Sequence, residues 1–162
     1  MTRAKLIAAA ATAALLAACG EDVATPEKTI QQLMADDVEP NAQIYWKSVQ
    51  YISDQTGDHE IFPRTDEEWA RIKAAATRIG EFAALLQTPG YAEGRGEDWM
   101  QFSKSLVDVS KLAEQAAEEK STDKVFEVGG TVFSVCKACH DVYPPAEGIP
   151  GARPKDKEPG AA

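Results

Sequence analysis

Trp69, Ile72, Ala76, Ile79, Ala83 and Leu86 recur at intervals of three and four residues, the spacing that lines one face of an α-helix. A strand needs a period of two, so this run predicts a long amphipathic helix with one buried side. Thr65-Asp66-Glu67-Glu68 opens it as a capping box, Thr65 at the N-cap and Glu68 at N3, and Pro89-Gly90 closes it. A third segment repeats the pattern through Trp99, Phe102, Leu106, Val109, Ala113 and Ala116, after a turn at Gly94-Arg95-Gly96. Ser121 or Thr122 then caps a fourth, in which Val125, Gly129, Val132, Cys136 and Cys139 keep the same intervals. The first segment is expected to begin at Thr25-Pro26, cap and N1 proline, and to run to about Ser53. Met34, Val38, Ala42, Tyr45, Val49 and Ile52 fall there on one arc of roughly 80° at helical pitch. Pro40 lies opposite, so it is expected to bend or divide the helix without breaking the stripe. No stretch reads as strand. Four stripes, each on a helix too short to persist alone, predict an all-α fold, an antiparallel up-down-up-down four-helix bundle over residues 25–143.

The fourth segment ends in Cys136-Lys137-Ala138-Cys139-His140, two thiols and an imidazole in one pentapeptide. On a helix the three span an arc of roughly 100°. This is the spacing for covalent attachment of a c-type haem, Cys136 and Cys139 forming thioethers to the porphyrin vinyl groups and His140 ligating iron. Rival chemistries fit less well. A thioredoxin-like pair sits at a helix N-terminus after a strand, where the helix dipole lowers the thiol pKa; here some fifteen residues of helical pattern precede it. A zinc site needs four ligands, and the chain offers no second Cys pair and only His59 besides. Two inert buried thiols are the remaining alternative, one that leaves an exported C-x-x-C exposed to oxidation.

Export is read from residues 1–18, where Arg3 and Lys5 precede an apolar run, Leu6 to Ala18, too short for a spanning helix. Leu16-Ala17-Ala18-Cys19 resembles a bacterial lipoprotein box, which predicts a mature chain beginning at a lipidated Cys19, residues 19–24 as its tether, and the periplasm as its compartment. Acyl chains contribute about 0.8 kcal/mol per buried CH₂ and would hold the protein at a membrane surface; simple secretion as a soluble periplasmic protein is the competing reading. Gly20 after Cys19 resembles the outer-membrane sorting pattern. The leader carries two of the 17 basic residues and none of the 26 acidic ones, so its removal takes the net charge from −9 to −11. So acidic a chain has no basic surface for nucleic acid. It suits a redox partner with a basic docking surface, or serves solubility alone. Beyond Tyr143, residues 144–162 are rich in Pro, Gly, Lys and Glu without apolar period and read as a flexible tail.

With CKACH closing the last helical segment of an acidic, exported chain, the sequence resembles the class II c-type cytochromes, the cytochrome c′ family, over roughly residues 25–143. Stretches around Gln31-Gln32-Leu33-Met34, Thr65-Asp66-Glu67-Glu68-Trp69 and Asp98-Trp99-Met100 resemble bacterial members of it. The resemblance implies one covalent haem c, ligated by His140 and, in the low-spin members, by a methionine from the first helix. Members with an apolar residue there are five-coordinate and bind nitric oxide or carbon monoxide. It also implies a possible homodimer through the first two helices.

Met34, Met100 and His59 are the candidates for the sixth iron position. Met34 is chosen because it shares the core arc of the first segment, and a thioether there favours ferrous iron; plain core packing is its alternative role. Met100 lies about 100° from Trp99, off the seam of its helix, and His59 follows Gly57-Asp58 in an expected loop. Two positions depart from the family pattern. Ile30 stands where an arginine often meets a propionate, which leaves Arg71, Arg78 or Lys137 for that contact, and Pro144 stands where gas-binding relatives tend to carry a basic residue. Tyr143 is expected to pack at the haem edge. The expectation is a one-electron carrier and not an enzyme; a peroxidase would need a distal acid-base group, for which His59 is the one evident donor. Glu118-Glu119 and Asp36-Asp37 read as solvated faces.

Overall fold

A computed structural model describes residues 25–145. The fold is mostly helical, with one small antiparallel sheet: α1 (Ile30–Leu33), a π-helical turn (Met34–Val38), α2 (Glu39–Trp46), β1 (Gln50–Asp54), β2 (Gly57–Ile61), α3 (Asp66–Leu85), α4 (Pro89–Ala92), α5 (Glu97–Glu118) and α6 (Thr122–Val142). Among the described residues no helix is long and apolar enough to cross a membrane.

The three long helices form as their stripes predict. Thr65 and Glu68 close the capping box of α3, and Ser121 accepts from the Lys124 N–H to cap α6. Pro89-Gly90 does more than stop α3, because Pro89 starts the short α4. Gly94 and Gly96 turn the chain at φ +74° and +86°, in the region glycine reaches without strain. Helix α3 packs on α5, α5 on α6, and α2 on both α3 and α6. Their shared core gathers Tyr45, Trp69, Ile72, Ile79, Leu106, Val109, Val125 and Val132 around a seam of alanines. A second buried cluster, Leu33, Val38, Phe82, Leu86, Tyr91 and Trp99, closes one end.

The first segment departs from expectation at three places. Its cap is Thr29, not Thr25: Thr29 Oγ1 accepts from the Gln32 N–H at 3.2 Å while Gln32 Oε1 accepts from the Thr29 N–H at 2.9 Å. Thr25 would have Lys28 at N3, which offers no acceptor for that reciprocal bond. Ahead of Pro40 the helix then widens, the Glu39 N–H reaching back five residues to the Met34 carbonyl. Pro40 donates nothing to the preceding turn, and Asn41 Nδ2 instead bonds the Asp37 carbonyl at 2.7 Å. This π turn shifts the stripe, so Leu33 at 2 % exposure, five residues before Val38, takes the buried place that regular pitch gives to Met34.

Finally, the helix ends at Trp46 and residues expected to continue it, Gln50–Asp54, form a strand that pairs antiparallel with Gly57–Ile61. The cause is turn chemistry. Asp54 Oδ1 accepts from the Thr56 N–H at 2.7 Å and the Thr56 hydroxyl at 2.6 Å, and Gly57 takes φ +123°. Edge-to-face contacts of Tyr51 with Phe62 and Phe126 then hold the ribbon to α6.

Candidate functional site

Cys136, Cys139 and His140 lie in the last two turns of α6. The stripe that carries them is fully buried through Val132, at 1 % exposure, and then opens: both cysteines are half-buried and His140 is exposed. Both thiols are free. Burial pushes the Cys136 thiol up to about 11, with Cys139 and the Glu39 carboxylate adding to the effect, and burial raises Cys139 too. These are the opposite of activated thiolates, as expected at the negative end of a helix dipole.

His140 is exposed as a residue, yet the protein around it holds its pKa below the ordinary 6.5, against the opposing pull of Glu39 and Asp141. Glu39 therefore stands within electrostatic reach of both Cys136 and His140, so the first turn of α2 faces the motif. Its role was not read from the sequence. The one signal for it is a spacing of five from Met34, which shares a face only across a π turn.

Met34 is half-buried, at the first position of that π turn. It packs on the cluster of Leu33, Val38, Phe82, Leu86, Tyr91 and Trp99, and so does Tyr143, three residues past His140. Met34 and the end of the motif helix thus share one end of the molecule. Tyr143 is clasped to the start of α5: its hydroxyl donates to the Arg95 carbonyl at 2.7 Å, and its ring meets Trp99 edge-on at 5.1 Å. Arg95 in turn stacks on Trp99, its guanidinium carbon 4.6 Å from the ring centre.

Of the other candidates, His59 lies on the ribbon, Met100 follows Trp99 on α5, and Arg78 touches Phe82 of the same cluster. Met100 is 38 % exposed on α5. His59 occupies β2 and not a loop, paired with Ile52, its Nε2 2.6 Å from Thr56 Oγ1 and 3.5 Å from Asp54 Oδ1. Arg78 pairs with Glu81 at 2.7 Å and stacks on Phe82, Lys137 pairs with Asp141 at 2.5 Å, and Arg71 is exposed on α3. Residues 1–24, with Cys19 and the expected leader and tether, and residues 146–162 lie outside the described residues.

Among the described residues no three His, Cys, Asp or Glu side chains converge on one point. The motif thus offers one imidazole and two anchoring sulfurs, a donor set matched to a group that brings its own equatorial ligands. No family model, curated protein or solved structure matches the chain.

Proposed function

We propose that this chain is a one-electron carrier of the class II c-type cytochrome kind, holding one covalent haem c within an antiparallel four-helix bundle built from the residue 30–46 arm, α3, α5 and α6. The observation that carries the reading is the CKACH pentapeptide where the core stripe of α6 opens toward solvent. Cys136 and Cys139 supply the two thioether sulfurs, and His140 supplies the proximal imidazole. When bound, the haem supplies reversible one-electron iron chemistry.

Met34 is the proposed sixth ligand, supported by its half-buried place on the end cluster that also holds Tyr143. A carrier gains from fixed ligands, since little then rearranges when the electron moves. The clasp of Tyr143 on Arg95 and Trp99 fixes the end of the motif helix, and the end cluster limits water there. Lipidation of Cys19 and a periplasmic location remain part of the proposal and rest on residues 1–20 alone.

One observation favours a second reading. Leu33 and not Met34 holds the fully buried position of the first arm, and an apolar residue facing iron would leave it five-coordinate and open to nitric oxide or carbon monoxide.

Visible spectra of holoprotein matured in a periplasm decide between them. The carrier is expected to give a low-spin ferric spectrum with a far-red sulfur-to-iron band and no carbon monoxide uptake. Met34→Leu should abolish that band, yield a high-spin ferrous form that takes up carbon monoxide, and lower the midpoint potential. Gas uptake by the parent protein, with a spectrum that Met34→Leu leaves unchanged, would transfer the role to Leu33. Cys136→Ser with Cys139→Ser should leave any pigment extractable; a colourless parent protein with both thiols alkylatable overturns the haem itself.

A further inference from the structure

Three half-exposed aromatic side chains crowd one side of the molecule, away from the capped end: Tyr51 at 46 % exposure, Phe126 at 54 % and Phe133 at 56 %. With Trp46, Ile52 and Gly130 they line an open cleft of about 360 Å³ between α2, β1 and the first turns of α6. Trp46 meets Phe133 edge-on at 5.9 Å, and its Nε1 donates to the Gly129 carbonyl at 2.9 Å, so the cleft wall is fixed in place. Gly130 opens the floor, since a methyl built there would meet nothing within 4 Å.

Acidic residues flank this apolar floor, with Glu60 opposite Tyr51 in the ribbon register. From Ser48 to Pro63 the chain carries Asp54, Asp58 and Glu60 and no lysine or arginine. Across the cleft α6 contributes Asp123, which accepts from the Tyr51 hydroxyl at 3.2 Å, and Glu127 follows Phe126 in sequence. The lysine between them, Lys124, is taken up by Glu119 at 2.5 Å, and Lys47 and Arg64 are the cations that flank the Ser48–Pro63 stretch in sequence.

We infer that this cleft is the docking face for a redox protein with a basic surface around its own prosthetic group, an inference that rests on the haem reading above. Charge selects the occupant. A second copy on the same face would set acid against acid, and an anionic lipid surface would be repelled likewise. A basic partner gains from both. Size agrees: at about 150–250 Å² per aromatic side chain, the exposed halves present roughly 300 Å² of apolar area. That is at the low end of the largest apolar patch a monomer carries, about 300–600 Å², and small beside the ~800 Å² per partner of a stable complex. It fits an encounter that must dissociate after each electron. The route inward is short, for Phe133 stands three residues before Cys136 on α6, where side chains are neighbours. The event is the passage of one electron between the partner's metal centre and this chain's iron, with no bond made or broken.

Two probes test this. Reduced holoprotein is mixed in stopped flow with tris(1,10-phenanthroline)cobalt(III), a cationic aromatic oxidant, and separately with anionic hexacyanoferrate(III). The cobalt rate is expected to fall as salt rises. Glu60→Gln, Asp123→Asn and Glu127→Gln together should lower it roughly three- to ten-fold at low salt while leaving the hexacyanoferrate rate unchanged or raised. Phe126→Ser with Phe133→Ser should lower it comparably; should that pair not fold by circular dichroism, the acidic triple alone decides. Rates that none of these changes move would overturn the inference, as would a dimer in sedimentation that the phenylalanine pair splits. The paramagnetic tris(1,10-phenanthroline)chromium(III) maps docking on ¹⁵N-labelled full chain with no electron transferred. Line broadening centred on Tyr51, Phe126 and Phe133 supports the face even in protein that proves colourless, and broadening centred elsewhere rejects it.

Discussion

Ser110 Cβ lies 3.2 Å from where a side-chain carbon on Gly80 would stand, so glycine there lets α3 and α5 approach closely. Gly130 sits in α6 with open space around it, so for stability its glycine adds freedom to the unfolded chain and relieves no clash. Opposite outcomes follow from the same residue type. Gly130→Ala is expected to stabilise by about 0.5–1 kcal/mol, and Gly80→Val to destabilise by about 1–3 kcal/mol through overpacking, both read from denaturant midpoints at constant slope. Gly130→Ala with no gain would mean that its helix turn is already frayed in the native protein. Ser103 and Ser110 make a related point. Both are buried beside the predicted apolar stripe, and each hydroxyl donates to the carbonyl four residues back, Trp99 and Leu106, at 2.8 and 2.7 Å. A serine that satisfies itself on its own helix fills a core position without a buried unpaired oxygen, which hydropathy spacing alone does not reveal.

Among the elements, α3 is the one whose beginning is written most fully in local chemistry. Glu68 Oε2 accepts from the N–H groups of Arg64 and Thr65 at 2.6 and 2.9 Å, and these backbone donors, Arg64 first, hold its carboxyl below the ordinary 4.5. A depressed carboxylate contributes stability that is complete above pH 4.5 and is lost as pH falls through the lowered value. Glu68→Gln should therefore make the acid limb of the stability–pH profile shallower. It should not abolish that limb, because Asp54, Asp66 and Glu119 are held low by Thr56, Lys120 and Lys124 respectively. Thr65→Ala should cost about 1 kcal/mol at neutral pH. An unchanged acid limb in Glu68→Gln would show that the capping box does not persist in solution. The contrast with the first arm explains what was legible. For α3 the cap, stripe and stop agree, and all six stripe residues from Trp69 to Leu86 are buried. Residues 25–61 misled because Thr25-Pro26 imitates a cap that Thr29 forms better, because a π turn shifts the burial register by one, and because Ile52 satisfies helical spacing while the Asp54–Gly57 turn commits it to a ribbon. The Cys136–His140 pentapeptide was legible as a local string. Glu39 beside it, and Arg95 and Trp99 around Tyr143, are brought there by tertiary packing that no local spacing encodes.

For the molecule as a whole, the question is whether the two buried clusters fold together. They share helices: Ile79 and Ala83 of α3 belong to the central core while Phe82 and Leu86 belong to the end cluster, and on α5 Leu106 and Trp99 divide in the same way. Trp99 bridges the ends directly, its Nε1 donating to the Leu86 carbonyl at 2.7 Å while Arg95 and Tyr143 cover its faces and edge. To open the end cluster alone would fray the last turns of α3 and the first of α5 together. That strips apolar surface from both while the central alanine seam stays closed, so the partly open state gains little chain entropy for the burial it forfeits. One cooperative transition is expected. The chain's tryptophans make this measurable, because Trp46 and Trp69 report the central core and Trp99 the end cluster. In the haem-free chain, Trp46→Phe with Trp69→Phe leaves Trp99 as the sole fluorophore of its kind. Its denaturant transition should coincide in midpoint and slope with the far-ultraviolet dichroism of the same variant. An earlier Trp99 transition would establish the capped end as a separately melting unit. In that case the fold alone does not organise the Met34 position, and the fixed ligation that the proposed carrier asks would depend on the proposed haem as much as on the fold.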